Sequence, residues 1–142
     1  MTVDVCNRQR RRVNTRQLRQ LAERIHTGQS LSIVFVNDRE MAKLNLRYHH
    51  VAGPTDILTF DYGDGEGELI ISVDHAVANA RRYHTTVARE LALYVVHGLL
   101  HLHGYDDRTP RQRARMRVAE RRILSKLTEK LDLRSLISRE SQ

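Results

Sequence analysis

Apolar residues recur along this chain with two periods, and the switches between them mark out the elements. Val3-Asp-Val5 alternates and predicts a short strand. Across residues 15–27, Leu18, Leu21 and Ile25 fall on one helical face with arginines on the other; Asn14 or Thr15 can cap this helix and Gly28 can end it. Leu31-Ser-Ile-Val-Phe-Val36 is rich in β-branched residues and reads as a buried strand. Strand, helix and strand at this spacing predict a parallel pair with a right-handed crossover. Asp38 then caps a short helix through about Leu46. Residues 55–61 read as a strand with Ile57, Leu58 and Phe60, Gly63-Asp-Gly-Glu-Gly67 as a turn, and Glu68–Ser72 as the returning strand of a hairpin. A helix is expected over 74–83. Thr85 or Thr86 caps the next, which has Glu90 in its first turn and runs to about His103, with Gly104 placed to end it. Thr109-Pro110 opens a last long helix carrying Met116, Ala119, Ile123, Leu124 and Leu127. The class predicted is α+β: a single domain over 1–142, a mixed sheet of about four strands packed with helices, a metal site on a central helix, and a polar tail from about Ser135.

At 142 residues folding can bury roughly 70% of the unfolded surface, so no covalent staple is needed. No run approaches the ~18 apolar residues of a membrane span, and no secretory signal is visible after Met1. The single cysteine, Cys6, excludes an internal disulfide, fits a reducing cytoplasm and is expected to fill core space near a strand start. The formal net charge is +7, and the only lysines are Lys43, Lys126 and Lys130. Arginine's planar fork suits phosphate. Arginines crowd residues 8–24 and 108–122, whereas 48–80 hold no Lys or Arg and include Asp56, Asp61, Asp64, Glu66, Glu68 and Asp74. A basic surface around a less basic centre suits a polyanion drawn to a metal site, and equally a merely solvated surface.

The segment that carries chemistry is His97-Gly-Leu-Leu-His-Leu-His-Gly-Tyr-Asp-Asp107. Positions i and i+4 of a helix lie about 40° apart in azimuth and ~6 Å along the axis, so His97 and His101 project together. Gly104 can stop the helix in a left-handed conformation and turn the chain back, bringing the Asp107 carboxylate to the same point. Two imidazoles and a carboxylate leave a fourth position open, the pattern of a catalytic zinc; Ni²⁺ or another divalent ion could bind by the same logic. Asp106 is a rival third ligand, or bonds to amides in the turn. His103 lies about 200° from His101 and is expected to face away. Gly98 stands where helical zinc peptidases carry a glutamate base, which argues against a peptidase of that design.

These residues resemble the signature of the YbeY endoribonucleases, H-G-x-L-H-L-x-G-Y-D-H. Leu44-Asn-Leu-Arg-Tyr48 with Pro54-Thr-Asp-Ile-Leu-Thr-Phe60 is similar to the family's L-N-x-x-Y-R and P-T-D-V-L-S-F, and Gly67-Glu-Leu-Ile-Ile-Ser72 to its G-D-I-x-I-S. The likeness runs from about residue 31 to 124, with Met116, Glu120 and Leu124 fitting the family's last helix. The resemblance implies one zinc per chain on His97, His101 and Asp107. It also implies single-strand-specific endoribonuclease activity in rRNA maturation, notably at the 3′ end of 16S rRNA, and in ribosome quality control. Ribosomal subunit components are the implied partners, in the cytoplasm. The sequence departs from the family pattern twice. Asp107 stands in place of the third histidine, and its negative charge makes the metal a weaker Lewis acid. His49 stands in place of an arginine suspected of steadying charge on the phosphate; His49 or Arg47 is expected in that role, and an exposed loop pair is the plain alternative for His49 and His50. Two other functions stay open: an rRNA-binding assembly factor with a structural metal, and a small zinc peptidase.

Overall fold

The computed structural model describes residues 2–26, 28 and 30–130. Among them run β1 (Thr2–Asn7), α1 (Thr15–Ile25), β2 (Ser30–Val36), α2 (Asp38–His49), β3 (Ile57–Gly63), β4 (Glu66–Ser72), α3 (Val73–Tyr83), α4 (Val87–Leu102) and α5 (Pro110–Lys130). The expected α+β class with a four-stranded mixed sheet is what forms. Strand order is β1-β2-β4-β3. β1, β2 and β4 are mutually parallel, and β3 returns antiparallel to β4 as the hairpin required. The hairpin therefore enters the sheet by its second strand and leaves β3 at the edge. The polar tail from about Ser135 lies outside the described residues.

The helix ends show where local chemistry decided the boundaries. Asn14 caps α1 by accepting from the Gln17 amide. That helix stops at Ile25 rather than at Gly28, because the chain is already extended at His26 to enter β2. Gly28 is required for another reason: a Cβ there would lie 2.5 Å from the Gly65 carbonyl oxygen. Asn37, and not Asp38, caps α2 by accepting from the Glu40 amide. Asp38 instead accepts from the Ser72 hydroxyl at 2.7 Å and pairs with His75 Nδ1 at 2.8 Å, tying the starts of α2 and α3 together. α2 also runs three residues beyond Leu46, to His49, and the Tyr48 ring packs edge-on against Phe60 of β3. Ser72 ends β4 and caps α3, and of the two candidate threonines Thr86 caps α4.

The sheet buries both faces, unequally. On one, Leu31, Ile33, Phe35, Leu69 and Ile71 pack with apolar residues of α1, α3, α4 and α5. On the other, Val36, Leu58 and Ile70 pack with Met41 of α2. α4 has buried residues all round its circumference, as a central helix must. In α5 Met116, Leu124 and Leu127 are buried, while its arginines from Arg111 to Arg122 are exposed. Cys6 is exposed and does not fill the core. The period-2 alternation of β1 turns Val3 and Val5 inward and Cys6 outward.

Candidate metal centre

Two local motifs hold the centre. α4 ends in a Schellman motif: the Tyr105 amide donates to the Leu100 carbonyl and the Gly104 amide to that of His101, with Gly104 at φ +96°. α5 begins with a capping box. The Thr109 hydroxyl accepts from the Gln112 amide at 3.1 Å, and the Gln112 side-chain oxygen accepts from the Thr109 amide at 3.1 Å. Asp107 sits in the short segment between these two stops. Arg113 reaches back to donate to the Asp107 carbonyl at 3.2 Å, and the Asp106 carboxylate accepts the Asp107 amide at 2.8 Å. Of its two expected alternatives, Asp106 thus takes the amide-bonding one.

His97, His101 and Asp107 converge, each half-buried, with candidate ligand atoms all within 4.8 Å of one another. Asp107 Oδ2 lies 3.3 Å from His101 Nε2 and 3.6 Å from His97 Nε2. A charge-assisted N–H···O bond closes to about 2.7–2.9 Å, so these separations are loose for direct pairing. A tetrahedral ion with bonds of about 2.0–2.1 Å sets its ligand atoms roughly 3.3–3.4 Å apart. The donor set and its spacing therefore fit a small divalent cation. The Nε2 of His97 faces the shared point because its opposite nitrogen is engaged: Nδ1 lies 2.8 Å from Glu120 Oε1 of α5. Burial pushes the His97 pKa down, but the Glu120 hydrogen bond and the charges of Glu120, Asp56 and Asp107 outweigh it, and the net shift is upward. Sequence reasoning placed Glu120 only on the last helix. The available signal was a carboxylate on the same stripe as Met116 and Leu124, where a buried charge needs a partner.

Gly98 has a steric reason beyond the missing glutamate. A Cβ there would lie 2.6 Å from Leu69 Cδ2 and 2.8 Å from Ile57 Cδ1. Position 98 faces the sheet, and its lack of a side chain lets α4 approach β3 and β4 closely. That approach places the metal ligands beside the sheet edge. Between them opens a cleft of 770 Å³ lined by His49, Asp56, Ile57, Thr59, Asp61 and Arg108 together with His97, His101 and Asp107.

The structure brings His49 into this cleft at the C-terminal end of α2. Arg47 is not among the lining residues; its guanidinium lies over the Tyr48 ring, 5.4 Å from the centroid. His50 is the C-cap of α2 in the left-handed region. Buried Asn45 donates to the Gly53 carbonyl at 2.9 Å and pins the loop that follows. Asp56 braces the start of β3 by accepting from the Ile57 amide at 2.8 Å. His103 faces away from the cluster, its ring edge-on to that of His26. The cleft is lined by four carboxylates (Asp56, Asp61, Asp106 and Asp107) and a single arginine, Arg108. A polyanion enters such a cleft favourably only when a cation offsets the carboxylates.

Residues 3–128 match the family model described as Endoribonuclease YbeY. The protein named Endoribonuclease YbeY of Chlorobium luteolum is 34% identical over 135 residues, covering 89% of this chain and 98% of its own. The proteins of that name from Roseiflexus sp. and Bacillus licheniformis are 37% and 34% identical, covering 80% and 73% of this chain and 77% and 75% of theirs. The solution structure of a Thermotoga maritima protein shares the fold, with a TM-score of 0.58, 20% identity and 99% of each chain covered.

Proposed function

Because the chain belongs to the YbeY endoribonuclease family, we propose that it is a zinc-dependent, single-strand-specific endoribonuclease of rRNA maturation, acting at the 3′ end of 16S rRNA. Ribosomal subunit components are its partners, in the cytoplasm, and the chain works as one domain. Among the described residues no helix is long and apolar enough to cross a membrane. The observation that carries the reading is the convergence of His97, His101 and Asp107 in a cleft whose other carboxylates disfavour phosphate unless a cation is bound. Zinc is preferred among divalent ions because the donors are two imidazoles and a carboxylate, with Asp107 Oδ2 3.3 and 3.6 Å from the two imidazole nitrogens.

When bound, the ion supplies Lewis acidity toward a phosphodiester and acidifies water at neutral pH. The protein's own part is positional. His97, His101 and Asp107 hold the ion, and Glu120 fixes the tautomer and ring direction of His97. Arg108 lines the same cleft and offers a guanidinium to a phosphate there. His49 also faces the cleft and, when protonated, steadies developing charge on the phosphate. Arg47, over Tyr48, meets the strand as it enters.

The test combines metal content with cleavage, on protein purified without a metal-affinity tag. Elemental mass spectrometry should find about one zinc per chain, as a single catalytic site requires, and a large loss in Asp107→Ala. The loaded wild type should cut a single-stranded rRNA fragment and spare its duplex. A loaded protein that cuts no single-stranded RNA, or a His97→Ala variant that cuts as well as wild type, overturns the proposal.

A further inference from the structure

β3 is the edge of the sheet, and its register decides which of its backbone groups are free. The Ser72 amide donates to the Asp56 carbonyl at 3.0 Å, and Ile57 pairs with Ile71, Leu58 with Ile70 and Thr59 with Leu69. In an antiparallel ladder hydrogen-bonded and non-hydrogen-bonded pairs alternate. Asp56, Leu58 and Phe60 therefore bond to β4, and Ile57, Thr59 and Asp61 turn their amides and carbonyls outward. The 2.8 Å bond from the Ile57 amide to the Asp56 carboxylate agrees, since that amide is free of β4. What the ladder leaves free along the edge, among the described residues, is the Ile57 carbonyl, the Thr59 amide and carbonyl, and beyond them the backbone groups of Asp61; the first three run acceptor, donor, acceptor. Ile57 and Thr59 line the same cleft as His97, His101 and Asp107.

This sequence of groups matches the edge of a nucleobase. Adenine and cytosine place an amino donor beside a ring-nitrogen acceptor, and guanine and uracil place a carbonyl acceptor beside a ring N–H donor. Either kind meets its complement on two adjacent groups of the edge. The Asp56 carboxylate closes the free run at one end and a register shift interrupts it between Asp61 and Gly63 at the other, so an extended peptide could pair only with the few groups between them. Charge sets the orientation. Asp56 and Asp61 flank the edge and repel phosphate, whereas Arg108 and the metal ligands lie elsewhere in the same cleft. A strand crossing the cleft is driven to turn its bases toward β3 and its phosphates toward the metal.

We infer that the free edge of β3, through the Ile57 carbonyl and the Thr59 amide and carbonyl, reads one unstacked base of a single-stranded RNA and sets which phosphate reaches the metal centre. The inference rests on the endoribonuclease reading and adds to it a positioning element made of backbone. Because side chains do not form it, sequence identity at Ile57 and Thr59 does not reveal it. Single-stranded bases, splayed from their stack, are the ones such an edge can reach.

The test uses zinc-loaded full-length protein and 2′-O-methyl hexa-adenylate, with a hexamer of abasic residues as the phosphate-only control. In ¹⁵N spectra the Thr59 amide should shift with hexa-adenylate and stay unmoved by the abasic hexamer, while the Leu58 and Phe60 amides, held in the ladder, keep their exchange protection. Thr59→Pro deletes the outward N–H without removing a bond to β4, a place where an edge strand accepts proline. It should weaken hexa-adenylate binding about three- to tenfold, the worth of one net hydrogen bond, and leave abasic binding and zinc content unchanged. Hexa-adenylate that binds without moving the Thr59 amide overturns this inference and leaves the endoribonuclease reading standing. An unstructured peptide that moves that amide where hexa-adenylate does not makes the edge a strand-addition site instead, and overturns it as well. If the loaded wild type binds and cleaves no single-stranded RNA, both readings fall. The wild-type spectra decide the matter even if Thr59→Pro does not fold.

Discussion

Removing the charge of Glu120 tests whether the metal centre depends on a residue outside its three ligands. The Glu120 carboxylate lies 2.8 Å from His97 Nδ1, with its side chain 13% exposed, so solvent screens the contact only weakly. Loss of such an outer partner typically lowers metal affinity by roughly 10–100-fold, about 1.4–2.7 kcal/mol. Glu120→Gln keeps an acceptor for Nδ1–H and should fall near tenfold; Glu120→Ala leaves the nitrogen without its partner and should fall near the upper end of that range. Competition against a chelator of known affinity measures this, with metal-free stability as the check on folding. The pH dependence sharpens it. The same carboxylate raises the His97 pKa above 6.5, so below that raised value the ion must displace a proton that Glu120 helps to hold. At alkaline pH wild type and Glu120→Gln should differ by the full factor. As pH falls through the raised pKa the wild type loses affinity first and the gap should narrow. Equal zinc affinity in wild type and both variants at alkaline pH would refute the argument that Glu120 orients His97.

Gly104→Ala should destabilise the metal-free protein by about 1–2 kcal/mol, the cost of a left-handed conformation for an L residue. No atom lies within 4 Å of the added Cβ, so backbone strain is the whole cost, and an unchanged urea midpoint would sink that account. Zinc affinity should fall with it, because the turn that returns Asp107 is the strained segment. His26 is 5% exposed, and burial, followed by the charge of His103, lowers its pKa below 6.5 against a smaller opposing influence of the Ser30 backbone. The unfolded chain then binds this proton more readily than the folded one, so the contribution is intact above pH 6.5 and is lost as pH falls below it. Relative to metal-free wild type, His26→Asn should flatten the fall in stability over that window, and parallel curves would count against it.

What could be read from the sequence is what short-range geometry fixes. The spacing of His97 and His101 needs only one helix, and the return of Asp107 needs only a stop at Gly104 and a start at Thr109. Both were legible, and Gln112, three residues past Thr109, completes a capping box whose signature is equally local. Cys6 is legible too: cysteine's general preference for burial points inward, but the alternation that turns Val3 and Val5 inward turns it out, and the period decides. Glu120 lies 23 residues from His97, and their meeting depends on how α5 crosses α4. Gly98 could be seen as the absence of a base, but its packing against Leu69 and Ile57 requires knowing that α4 lies on the hairpin. The edge position of β3 is of the same kind. A hairpin signal states that β3 and β4 pair, not which of them meets β2. That choice is set where Val34, Phe35 and Val36 align with Ile70, Ile71 and Ser72. β4, with Leu69 and Ile71 fully buried, belongs between two strands. β3 ends in exposed Asp61, Tyr62 and Gly63 and can stand at an edge without exposing an apolar strand. The asymmetry that keeps β3 from being covered thus also leaves its backbone free beside the metal ligands.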